Sequence, residues 1–128
     1  MISERVQAEI ELLKQRYPDV EVRDEGWCRL ARYELPEGWS ETEVELVFRV
    51  PPNIPGEIPY AFWTKPFLTL KGGGTPNNAS GPVETGFGAG WQQWSWQLED
   101  WRPGPTPKDG SNVCDHVRSI VHRFKELD

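Results

Sequence analysis

Residues 43–50 place Val44, Leu46, Phe48 and Val50 on one face and then run into a wall of prolines. That alternation has the period of a half-buried β-strand. Pro51, Pro52, Pro55 and Pro59 follow at once, and each lacks the amide hydrogen that a central strand must donate. Such a chain must stop a core strand abruptly, cross a rigid extended loop and then resume pairing. Tyr60-Ala61-Phe62-Trp63 is the short aromatic strand that resumes it.

The flanking segments fit the same plan. Ser3 is placed to cap a helix running to about Arg16, with Val6, Ile10, Leu13 and Tyr17 on one stripe. Glu4, Glu9, Glu11, Lys14 and Arg16 take the other faces, and Pro18 forces the stop. That charged surface is either simply solvated or a docking face. Val20-Glu21-Val22 alternates, Asp24-Glu25-Gly26 turns the chain, and Trp27 to Leu35 reads as a strand with Arg29 and Arg32 outward. Pro36-Glu37-Gly38 makes the next turn, and connections this short imply an antiparallel meander.

Residues 66–90 read as irregular, since 71–78 and 80–82 are successive turn-formers. A structureless span of that length inside a compact domain is usually functional or mobile. Gly72-Gly73-Gly74 is no phosphate loop, because neither Gly-Lys-Ser/Thr nor a strand-loop-helix frame accompanies it. A last helix should begin at a Ser111 cap and reach Leu127, with Val113, Val117, Ile120, Phe124 and Leu127 on one stripe. The expected fold is one α+β domain over residues 1–128: a helix, a meander sheet of about four strands, a long irregular region and a final helix.

Charge and cysteine usage close several routes. A formal charge of −6 argues against phosphate-driven nucleic-acid binding. No apolar run has membrane-spanning length, and the chain opens on a charged helical pattern rather than a leader, so a soluble, cytoplasmic protein is expected. Cys28 and Cys114 stand far apart, and His116 and His122 are six residues apart on one helix. That is no convergent ligand set, so neither a metal nor another cofactor is expected.

Four of the seven tryptophans, Trp91, Trp94, Trp96 and Trp101, fall between residues 91 and 101, and Ser95 sits between two of them. Such a cluster is either packing or a binding surface. Spacing alone favours Ser95 as a capping or core-satisfied hydroxyl flanked by packing tryptophans.

From Phe48-Arg49-Val50-Pro51-Pro52 through Ile54-Pro55 to Ile58-Pro59-Tyr60-Ala61-Phe62, the chain resembles the ubiquitin-conjugating (UBC) superfamily. Ile54 stands where that family usually has Tyr, and Trp101-Arg102-Pro103 looks like its Trp-x-Pro element. Trp91, Trp94 and Ser95, followed by Trp101-Arg102-Pro103-Gly104, are similar to a bacterial branch whose genes accompany ubiquitin-like proteins and their activating enzymes. Gln93, Trp96 and Gln97 depart from that branch, where position 97 would be His. The resemblance is specific between about residues 44 and 104 and rests elsewhere on element order.

The resemblance implies an acyl carrier whose partners are a ubiquitin-like protein and an activating enzyme. No cysteine lies where the family holds its catalytic one, and Ser95 is the nucleophile-type side chain of that segment. A thiol suits such transfer because its thioester stays reactive, whereas a hydroxyl needs a base and oxyanion donors. Glu99, Asp100, Asp109 and His116 are the candidate bases. Asn77 or Asn78, after Pro76, resembles the family's transfer-assisting Asn, though Pro-Asn-Asn is also an ordinary turn. Trp91, Trp94 and Trp101 would frame the site. Three functions stand side by side: a carrier using Ser95, a catalytically inactive adaptor, and a module that stacks glycans or peptides on indoles.

Overall fold

The computed structural model describes residues 3–128. Helix α1 (Glu4–Arg16) begins as the sequence implies, with Ser3 Oγ accepting from the Val6 amide at 3.1 Å. Strands β1 (Glu21–Val22), β2 (Trp27–Glu34), β3 (Glu43–Arg49) and β4 (Tyr60–Lys65) form the expected antiparallel run, with the proline loop between β3 and β4. Helix α2 (Val113–Lys125) closes the chain. Its cap is Asn112 rather than Ser111: the Asn112 side chain accepts from the Cys114 and Asp115 amides, and Asp115 Oδ2 accepts from the Asn112 amide. Ser111 Oγ instead accepts from the Arg102 amide at 2.9 Å.

The irregular span is the main correction. Within it lies strand β5 (Ala79–Thr85), followed by β6 (Gly88–Gln97), which carries most of the tryptophan segment. The sheet therefore has six strands, in the order β1-β2-β3-β4-β6-β5. Gly81 and Pro82 stay legal in β5 because it is an edge strand and its register slips there, between Ser80 and Val83.

Both helices pack on one face of the sheet. Val6, Ile10 and Leu13 of α1 and Val117, Ile120 and Phe124 of α2 meet Val44, Leu46, Phe48, Phe62 and Trp94 in a single core. Trp94 stacks on Phe62 with centroids 5.6 Å apart and meets Trp39 and Phe124 edge-on. Its Nε1 donates to Thr64 Oγ1 at 2.9 Å, and Gln92 ties that threonine to the Leu68 backbone, so the Trp94 indole N–H and the Thr64 hydroxyl are both paired.

Glu9 departs from its expected solvent face: it is fully buried. Its carboxylate pairs with Arg5 at 2.9 Å and accepts the Val113 amide at 2.7 Å, clamping α1 to the first turn of α2. A negative charge there also complements the positive end of the α2 dipole.

On the other face the β5–β6 hairpin tip lies over β2. Gly86 rests on Trp27 so closely that a Cβ would come 2.2 Å from Trp27 Cγ. Arg23 donates to the Gly86 carbonyl and lies over the Phe87 ring. Trp27 meets Trp63 edge-on at 5.0 Å beneath this cover. No described helix is long and apolar enough to cross a membrane.

Candidate functional site

Ser95 lies near the end of β6 on a break in the sheet. Phe62 faces Trp94 and Tyr60 faces Gln97, so three steps on β6 match two on β4. The extra residue makes a β-bulge in which Ser95 and Trp96 stand opposite Ala61. Bulges re-aim side chains and recur beside active sites. The Ser95 side chain is exposed, while Trp94 before it is fully buried.

The backbone on both sides of the bulge is unusual. Ala61 has φ 68° and Asn78 has φ 61°; with Glu25 they are the positive-φ non-glycine residues described. The Asn78 carbonyl accepts the Ser95 amide at 2.9 Å, so Ser95 is held between two residues in the left-handed region. That conformation costs of order 1–3 kcal/mol for a residue with a Cβ and tends to persist at functional sites.

The surroundings of the hydroxyl are sparse. Asp100 is exposed and accepts from Arg102 Nε at 2.8 Å, and Asp109 accepts from Thr106 at 2.8 Å. Glu99 is exposed beyond the end of β6. His116 is buried on α2 with Nε2 at 2.9 Å from the Ala61 carbonyl, and burial pushes its pKa below 6.5. Among the described residues, none of the four candidate bases bonds to Ser95. The Ser95 amide is already committed to Asn78, so it offers no oxyanion donor.

Asn78 is thus brought to Ser95 through its carbonyl rather than its side chain, with Asn77 next to it. Arg123 donates to the Asn77 carbonyl at 2.7 Å, and the Asn77 amide donates to the Asp128 backbone. Both cysteines are buried. Burial pushes the Cys28 thiol up to about 12 and the Cys114 thiol up to about 11. Among the described residues no cluster of His, Cys, Asp or Glu could hold a metal ion.

The tryptophans are structural in their contacts. Trp91 and Trp94 are 2% and 0% exposed. Trp101 Nε1 donates to the Pro55 carbonyl, which fastens the segment after β6 to the proline loop. Trp96 Nε1 donates to Ser119 on α2. Leu98, Asp100, Asp115, Ser119 and His122 line a shallow cleft between this segment and α2.

Residues 7–126 match the prokaryotic E2 family E. The chain belongs to that family. Membership carries an E2-like role in ubiquitin-like protein conjugation and, with it, general partnership with a ubiquitin-like protein and an activating enzyme. No curated protein and no solved structure matches the chain. Within this E2 family member, sequence reasoning missed the bulge, the pairing of Ala61 with His116, and Ser119. Asn78 alone carried a signal, since Asn tolerates the left-handed region better than most residues.

Proposed function

We propose that this E2 family member accepts the C-terminal acyl group of a ubiquitin-like protein as an oxyester on Ser95 and passes it to an amine. The observation that supports this most is the exposed Ser95 side chain in a bulge flanked by two left-handed residues. Structure that costs energy beside one exposed hydroxyl suits a site better than a plain strand. The buried thiols offer no competing nucleophile.

In the first step the Ser95 oxygen forms a bond to the activated acyl carbon. The bond from that carbon to the activating enzyme's leaving group breaks, and the hydroxyl proton goes to the departing group. In the second step an amine of the target attacks the ester carbonyl, the C–O bond breaks, and the amine proton returns to Ser95. Since Asp100, Asp109 and His116 are engaged elsewhere and exposed Glu99 makes no bond to Ser95, the first step relies on the partner to take the proton.

Incubation with the cognate activating enzyme, the ubiquitin-like protein and ATP tests this reading. The expected product is a covalent adduct that resists thiol reductant, yields to hydroxylamine and is absent from Ser95→Ala. An adduct that persists in Ser95→Ala would sink the assignment.

A second reading has its own support. With no base at Ser95 and Gln97 where the similar branch has His, the chain could serve as a non-covalent adaptor for the same partners. Unchanged partner binding in Ser95→Ala, with no adduct under any condition, selects it.

A further inference from the structure

We propose that His116 and Ser119 on α2 are positioning residues for Ser95, together holding the β-bulge that sets where its hydroxyl points. The proposal rests on the reading that Ser95 accepts the acyl group. It starts from how the two sides of the bulge are fastened. On the β4 side, Ala61 stands opposite the extra residue with φ 68°, and its carbonyl oxygen lies 2.9 Å from His116 Nε2. On the β6 side, Trp96 follows Ser95 within the bulge, and its Nε1 donates to Ser119 Oγ at 2.9 Å. The Ser119 hydroxyl in turn donates to the His116 carbonyl at 2.6 Å. Both strands of the distorted pair are therefore tied to one turn of one helix, since residues three apart share a helix face.

The chemistry of the histidine favours this role over simple filling. A carbonyl oxygen can only accept, so Nε2 carries the proton and donates it. His116 is fully buried, and Nδ1 has no partner among the described residues. Leaving a ring nitrogen dry costs free energy that a leucine in the same volume would not incur. What the imidazole supplies and a leucine cannot is the donor aimed at Ala61. That donor holds a residue in a conformation it would otherwise leave. The Trp96–Ser119 bond is likewise directional, fixing the residue next to Ser95 rather than adding apolar contact.

Loss of either tie lets the Ser95 side chain sample directions away from the acyl carbon. Misplacement of a reacting group by about 1 Å can cost on the order of a hundredfold in rate. The test compares the full chain with His116→Leu, His116→Gln, Ser119→Ala and Ser119→Thr. Three quantities are read for each: the rate of reductant-resistant adduct formation at Ser95, the melting temperature, and hydrogen exchange of the Ser95 amide.

His116→Leu and Ser119→Ala are expected to slow the adduct by about tenfold to a hundredfold and to speed exchange of the Ser95 amide. His116→Gln, which keeps a donor for Ala61, and Ser119→Thr, which keeps a hydroxyl to accept from Trp96, should recover most of the rate, and the rates should not follow melting temperature. Wild-type rates in His116→Leu and Ser119→Ala would overturn the proposal. So would losses that follow melting temperature and are not recovered by Gln or Thr. Should His116→Leu fail to fold, the half-buried Ser119 pair decides alone. If the wild-type chain forms no adduct, the Ser95 reading fails instead. Exchange then judges the ties separately: faster exchange in Ser119→Ala upholds them, and unchanged exchange refutes them.

Discussion

At the scale of single residues, reactivity here is decided by exposure. Cys28 and Cys114 are 0% and 1% exposed, and burial holds both thiols in their protonated form well above neutral pH. Native protein should therefore resist iodoacetamide at pH 8 and react fully only when unfolded. Fast native alkylation of either thiol would reopen a thioester route. His116 makes a second prediction. Its folded pKa is depressed by burial, so the unfolded chain binds a proton as pH falls below 6.5 while the folded chain does not. Its stabilising contribution is present above pH 6.5 and is lost as pH falls from there toward the folded pKa. Melting temperature should drop more steeply between pH 7 and pH 5 in the wild-type chain than in His116→Gln. Equal slopes would mean that the ring is not held neutral.

At the scale of elements, legibility followed periodicity and capping. Both helices and β3 announced themselves through apolar spacing, because each buries one face of a regular element. β5 could not, since Ala79-Ser80-Gly81-Pro82-Val83-Glu84-Thr85 has no alternation and exists as a strand through pairing with β6. Ser95 was legible as a candidate from the resemblance, but its bulge was not, because Ala61 and Ser119 carry no local signature of their partners. Glu9 was misread for a related reason: charge at one helix position says nothing of a partner amide 104 residues away. Glu9→Ala leaves the Val113 amide unpaired in the α1–α2 joint, and Arg5 without its carboxylate and held only by the Gly104 carbonyl, and should cost about 3–5 kcal/mol in urea unfolding. A loss below 1 kcal/mol would show that water reaches the joint. Gly86→Ala tests the hairpin, since its Cβ would clash with the Trp27 ring. A loss of about 1–3 kcal/mol is expected, with altered fluorescence from Trp27, and an unchanged protein would mean that the tip does not rest there.

At the scale of the whole molecule, the family supplies an E2-like role and the fold supplies the arrangement on which the Ser95 proposal rests. The chain belongs to the prokaryotic E2 family E, its core is built around Trp94, and β6 carries that core tryptophan and an exposed serine side by side. The tryptophans that the sequence left as packing or surface make packing and hydrogen-bond contacts, and the sheet continues through the region expected to be irregular. Under the proposed function the chemistry falls to exposed Ser95, with α2 proposed to position its bulge and a partner to supply the base. The most direct measurement is mass spectrometry of the adduct formed with activating enzyme, ubiquitin-like protein and ATP under thiol reductant, mapped by peptide. The account predicts the C-terminal acyl group of the ubiquitin-like protein on the peptide containing Ser95. An adduct mapped to Cys28, to Cys114 or to a lysine would contradict it.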